Sequence, residues 1–180
     1  MTKRIAIQLF GHLRSFRKTF DNFWKCIVIP NQMAGYEIDV FMHTWDETDH
    51  STITWHNEAG EQRGREVNEE VIDFIMKNYK PKKLLVQKQV DADDYIIKEK
   101  IADAPRAYKG VVNVAYTKYM STRLRKEYES EHNVQYKYVI MTRPDILFHS
   151  AFDIEKFLLV YEKYGWQVPG NGLFFGHNFF

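Results

Sequence analysis

Residues 138–148, Tyr-Val-Ile-Met-Thr-Arg-Pro-Asp-Ile-Leu-Phe, constrain the fold of this chain more than any other stretch. A continuous apolar run reads as a buried strand, here from Val139 to Asp145, and it breaks on Thr142-Arg143-Pro144-Asp145 before hydrophobicity resumes. Proline has no N–H to give to a sheet ladder, so the strand must bend or end at Pro144. Arg143 and Asp145 are then left at the carboxyl end of a core strand, the edge at which open α/β sheets bind ligands. A fixed cation and a carboxylate cost several kcal/mol in such a place unless they are paired, solvated or used on a ligand. The stretch therefore argues for a site as well as for a strand.

Three further strands are expected upstream. Arg4 to Phe10 alternates and β-branches, and Gly11-His12-Leu13-Arg14 breaks it. Ser15 is placed to cap a helix over 16–28, with Phe16, Phe20, Phe23, Trp24 and Ile27 on one face, and Pro30, Asn31 and Gly35 mark the connection after it. Tyr36 to Thr44 reads as the second strand, followed by a polar loop over 48–65. Asn68 caps a helix to about Lys77, and Lys83 to Gln89 reads as the third strand. From about Gly110 to Glu129 the apolar positions Val111, Val114, Ala115, Tyr119 and Leu124 suggest a long helix. A short helix near Asp153 and a strand at Leu173-Phe174-Phe175 complete the pattern. Strands alternating with helices favour a mainly parallel α/β sheet with helices on both faces, in one domain over 1–180.

Composition narrows the function classes. With 25 Lys and Arg against 24 Asp and Glu, the formal net charge is +1, too balanced for a general nucleic-acid binder. Cys26 is the single cysteine, so neither an intrachain disulfide nor a multi-cysteine zinc site can form. No stretch approaches the ~20 apolar residues of a transmembrane helix. The short segment Ile5-Ala6-Ile7 after Met-Thr-Lys-Arg does not make a signal peptide. The expected location is cytoplasmic.

The strand ends carry the chemistry. Gly11 lets the backbone approach a ligand, and Arg14 offers the planar fork that suits phosphate. At His43-Thr44-Trp45-Asp46, the ring of Trp45 can stack on a nucleobase and Asp46 can accept from a ribose hydroxyl. Asp145 is a hard oxygen ligand for Mg²⁺ or Mn²⁺ on a diphosphate, with Arg143 facing the same phosphates. Against these stand plainer roles: a turn glycine with a solvated arginine, a core tryptophan, and an Arg–Asp pair closing a bend. Other candidates carry less. His50 and His56, six apart, match neither a helical i, i+4 pair nor a zinc-finger spacing. Asp91-Ala92-Asp93 is a literal D-x-D in a segment that reads as an acidic turn. Neither G-x-G-x-x-G, nor a Walker A loop, nor a G-x-S-x-G elbow is present.

Together, I-A-I-Q-L-F-G-H-L-R-S-F, D-V-F-M-H-T-W-D-E, D-H-S-T-I-T-W-H-N and Y-V-I-M-T-R-P-D-I-L-F resemble a family of small bacterial glycosyltransferase-like proteins of capsule and lipooligosaccharide gene clusters. The resemblance implies a GT-A type fold: a Rossmann-like nucleotide-sugar-binding half with an acceptor site beside the metal-and-phosphate edge. Asp145 then occupies the place of the last carboxylate of that fold's D-x-D motif, and Arg143 stands where its first aspartate would be. Gly11 and Arg14 match the first-strand nucleotide contact, and Asp46 the second. The implied partners are a nucleotide-sugar donor and a surface-saccharide acceptor, and the implied setting is the cytoplasm or the inner face of the membrane. Enzymes of this type usually continue into a longer acceptor half, where His177 would be a late metal ligand. The aromatic terminus, Phe174-Phe175 and Phe179-Phe180, is expected to pack against either a missing segment or another subunit, the latter making a homo-oligomer. Two readings stand beside this one: a catalytically incomplete nucleotide-binding fragment that needs a partner chain or a missing C-terminal segment, and a Rossmann-type methyltransferase, for which the first strand lacks the glycine-rich turn.

Overall fold

The computed structural model describes residues 3–50, 64–90, 107–163 and 172–174. Five strands form one parallel sheet: β1 (Arg4–Phe10), β2 (Glu37–Trp45), β3 (Lys83–Gln87), β4 (Tyr138–Thr142) and β5 (Gly172–Phe174). Their order is β3-β2-β1-β4-β5. From β1 the chain steps outward through β2 and β3, then returns to the other side of β1. The reversal between β1 and β4 opens a crevice at the carboxyl edge, the usual ligand position of a Rossmann-like sheet.

Strand parity assigns the two faces. Ile5, Ile7 and Leu9 of β1 and Val40 and Met42 of β2 point to one side, where they pack with Phe16, Phe23, Ile27, Ile75, Tyr79 and Ile154. Full burial of an aliphatic side chain of this size is worth roughly 1.5–3 kcal/mol, so this layer is the main core. The opposite face carries Ala6 and Phe41, covered by Leu124 and Tyr136. Helices thus lie on both faces: α1 (Phe16–Phe23), α3 (Glu69–Asn78) and α5 (Ile154–Lys163) on the first, and α4 (Ala107–His132) on the second.

Local structure departs from the sequence expectation in four places. The first helix does not stop at Val28. It passes through a π-turn (Trp24–Val28) into α2 (Ile29–Met33), with Pro30 at the start of α2. Proline has no N–H and cannot fill an ordinary i→i−4 bond; the wider π-turn just before it lets the chain stay helical. Ser15 makes no side-chain cap, whereas Asn68 does, accepting from the Val71 N–H at 3.1 Å. The fourth strand ends at Thr142 rather than Asp145, because the Pro144 carbonyl turns away to accept from Thr19 Oγ1 at 2.6 Å. Finally, α4 runs past both ends of the expected 110–129 and presents Thr117, Met120, Ser121 and Leu124 to the sheet, leaving Val111 68% exposed and Tyr119 outward. The sheet residues opposite, Gln8 and His43, are polar, so the inward stripe of α4 contains hydroxyls: Gln8 Nε2 donates to Thr122 Oγ1 at 3.0 Å. Asp91-Ala92-Asp93, Trp55, His56, His177 and the last six residues lie outside the described residues.

The segment after β4 is clamped along the first helix by side chains the sequence reading passed over. Thr19 holds the Pro144 carbonyl, Asn22 bonds both N–H and C=O of Phe148 (2.7 and 2.9 Å), and Asn31 accepts from Ile154 N–H at 2.9 Å and donates to Phe152 O at 2.8 Å. The spacing from Asn22 to Asn31 spans the π-turn, which adds the residue needed to keep both on one face. Buried backbone groups must find partners, and here a polar ladder on a helix supplies them where a sheet neighbour would.

Candidate functional site

Three strand ends converge on the β1–β4 crevice. After β1, Gly11 has φ 93° and Arg14 has φ 42°, both left-handed. No atom lies within 4 Å of a Cβ built on Gly11, so glycine is required by its backbone angle and not by close approach. Its N–H is already given to Thr117 Oγ1 at 3.1 Å. Arg14 tolerates the left-handed region, costly for a side chain of this size, because its N–H is tied to the Thr48 carbonyl at 2.7 Å. The segment following β2 is fixed in turn: Asp46 N–H donates to Gln87 O, Val67 N–H to Asp46 O, and Thr48 N–H to Arg65 O, all at 2.7–2.8 Å.

These ties bring Arg14, Asp49, Arg143 and Asp145 into one cluster. Arg14 Nε donates to Asp49 Oδ1 at 2.8 Å, and its Nη1 stands 3.6 Å from Asp145 Oδ2. Arg143 grips Asp145 with a fork, Nε to Oδ1 at 2.7 Å and Nη2 to Oδ2. The Asp145 side chain is only 7% exposed. Each guanidinium carries five N–H donors, and Arg143 spends two on Asp145, so N–H groups remain for a ligand. Burial pushes the Asp49 carboxyl upward. The Arg14 guanidinium and the His50 amide outweigh it and hold the group below its ordinary value.

His12 completes the cluster, and nothing in the sequence reading singled it out. Its ring is buried, lies edge-on to His50 at 4.2 Å between centroids, and places Nδ1 3.1 Å from the Glu47 carbonyl. A carbonyl only accepts, so Nδ1 carries the proton and Nε2 presents a lone pair, which is enclosed and has no hydrogen-bond partner. Burial lowers the His12 pKa first of all. The Glu47 carbonyl and Asp49 push it back up, and Arg14 and Arg143 lower it further. A neutral imidazole thus sits beside two permanent cations.

Two sequence expectations change here. Trp45 does not offer a face to a nucleobase: it is 2% exposed, its ring stacks on Tyr116 at 5.8 Å and 16°, and His43 meets it edge-on. The cause is parity, since Trp45 falls on the same side of β2 as Phe41 and His43, the side that α4 covers. The Mg²⁺ or Mn²⁺ expected at Asp145 does not fit the donor set. Both carboxylate oxygens accept from Arg143, and a cation there would face two guanidiniums. Among the described residues no three His, Cys, Asp or Glu side chains gather in a metal-binding group. Asp46 is half-buried at the same edge, its backbone spent on Gln87 and Val67.

A cavity of about 890 Å³ lies elsewhere, between α4 and β4 and bordered by Gln8, Arg125, Tyr136 and Met141. It meets none of the strand-end residues. A second cavity of about 620 Å³ does, since Arg14 forms part of its wall. No described helix is long and apolar enough to cross a membrane. Set against protein-family models, curated proteins and solved structures, the chain matches none of them.

Proposed function

We propose that this chain is a nucleotide-sugar-dependent glycosyltransferase whose donor diphosphate lies against Arg14 and Arg143, with a surface saccharide as acceptor. One observation carries the reading: two arginines from separate strand ends meet at the reversal point of a β3-β2-β1-β4-β5 sheet. Planar guanidinium forks match phosphate oxygens, and Asp49 and Asp145 hold the forks in place before a ligand arrives, so little ordering entropy is left to lose on binding. In the reaction, the bond from the anomeric carbon to the diphosphate oxygen breaks with its electron pair leaving on the diphosphate. A new bond forms to an acceptor hydroxyl oxygen, which gives up its proton. Arg14 and Arg143 stabilise the charge gathering on the departing diphosphate, the part a divalent cation plays in other sites. His12 stays neutral beside the two guanidiniums, with its proton on Nδ1, so it adds no charge of its own to the corner.

Calorimetry with UDP-, GDP- and CDP-sugars in the presence of EDTA tests this, followed by an assay for transfer and donor hydrolysis. One donor class should bind without added metal. Arg143→Gln should weaken it about tenfold or more, the effect of losing a charge-assisted hydrogen bond. Absence of binding by every donor, or wild-type affinity in Arg143→Gln, would sink the proposal. Tight binding with no turnover would favour a nucleotide-binding module instead.

A further inference from the structure

The cavity of about 620 Å³ beside the arginine corner is walled by Arg14, Arg17, Arg65, Glu66, Asn68 and Glu70, among others. Three arginines and two glutamates share this wall with Phe16 and Val71, and the three arginines are held in three different ways. Arg14 turns into the diphosphate corner. Arg17 lies over the rings of Phe74 (4.6 Å) and Phe16 (5.5 Å) and meets Glu70 at 2.9 Å. That ion pair is exposed and therefore weak, so a ligand can recruit Arg17 without a large penalty. Arg65 is fixed through its backbone, its carbonyl accepting from Thr48 N–H (2.8 Å) and its N–H donating to Thr48 Oγ1 (3.0 Å). Among the described residues its guanidinium has no ion-pair partner. Two aromatic faces steer the Arg17 guanidinium, and a double backbone bond fixes the main chain from which the Arg65 side chain extends.

The geometry points to this cavity as the subsite for an anionic saccharide, gripped at its carboxylate or phosphate by Arg17 and Arg65. The inference rests on the glycosyltransferase reading for the word acceptor, but the binding chemistry stands apart from it. Oxyanions suit guanidinium forks, and the sugar ring hydroxyls have Glu66, Glu70 and Asn68 at hand. Arg14, common to both walls, would place the sugar next to the diphosphate. Both a uronic acid and a sugar phosphate present the required group.

Ligand-observed NMR titrations with glucuronate, glucose 1-phosphate and glucose test the subsite, with UDP titrated separately against the arginine corner. The charged sugars should bind and glucose should not. Arg17→Gln/Arg65→Gln should weaken the charged sugars about tenfold or more, while leaving the melting temperature and UDP affinity near wild type. Arg65→Lys, which keeps the charge and loses the fork, should fall between. A preference for one of the two charged sugars identifies the oxyanion source. Equal binding of glucose, no binding of either charged sugar, or unchanged affinity in the double variant would overturn the subsite. Failure of UDP alone would count against the donor reading and leave the subsite standing.

Discussion

Two aspartates at opposite ends of the sheet are buried to nearly the same degree and face the same number of cations, yet they sit in different kinds of place. Asp39, near the start of β2, is 10% exposed; it faces Lys82 at 3.5 Å and Arg4 at 3.8 Å and accepts from Tyr136 OH at 2.8 Å. Asp145, beyond the end of β4, is 7% exposed and faces Arg143 and Arg14. At the lower end, one cation is a lysine, a point charge, and the phenol of Tyr136 completes the carboxylate's bonding. At the upper end both cations are forks with N–H groups to spare, an enclosed histidine nitrogen lies beside them without a partner, and a cavity opens next to them. A buried ion pair is therefore a poor marker of function by itself. Unspent donors beside an open volume separate the site from the strut.

The sharpest way to break this comparison is to remove each carboxylate. Breaking a buried pair leaves an uncompensated charge and costs about 3–5 kcal/mol. Asp39→Ala and Asp145→Ala should both lower the unfolding free energy read from urea denaturation, by less than that, because the cations left behind are 20–46% exposed. Asp39→Ala should leave donor binding intact, and Asp145→Ala should weaken it, because Arg143 loses the group that holds its fork. Equal effects on donor binding would erase the distinction drawn above.

A smaller effect comes from pH. His43 is fully buried under α4, with Thr117 Oγ1 against its Nδ1, and burial lowers its pKa from 6.5 to about 4, offset slightly by the Gln87 side chain. The unfolded chain binds the proton below pH 6.5 and the native chain does not. Stability from this group is therefore complete above 6.5 and is lost as pH falls from there toward 4. At pH 4.5 the loss is roughly 2–3 kcal/mol. Denaturant midpoints measured between pH 7 and 4.5 should show this slope in the wild type and a flatter one in His43→Asn. An equally steep slope in the variant would assign the acid sensitivity to other groups.

The smallest expected effect concerns α4. Val111→Glu should change stability by less than about 0.5 kcal/mol, since the side chain faces solvent. A loss of several times that would put Val111 on the inward face.

Strand positions, the break at Pro144 and the Asn68 cap were legible because each depends on local chemistry: an apolar run, a missing N–H, a side-chain oxygen three residues before a free amide. The Arg14 and Arg143 pairing was half legible, since their positions at strand ends follow from sequence but their meeting depends on strand order. Trp45 stood open between a nucleobase platform and a core residue because a two-residue period cannot say which face a helix will cover. His12 was missed because one histidine after a glycine has no spacing to report, and its tautomer is set by the Glu47 carbonyl, 35 residues away. The inward stripe of α4 was not legible because its partners on the sheet are polar, so hydroxyls face inward beside Leu124 while Val111 does not.

The sequence alone thus determined an alternating α/β chain with a charged break at Arg143-Pro144-Asp145, because propensity, proline geometry and burial of apolar runs act over a few residues. Only the tertiary structure decided that Arg14 joins Arg143 at the Asp145 carboxylate, which then does not fit a metal, that Trp45 belongs to the core, and that an arginine-lined cavity adjoins the corner. Those outcomes depend on which strand ends become neighbours and which face each helix covers, relations between residues 30 to 130 positions apart that no local pattern encodes.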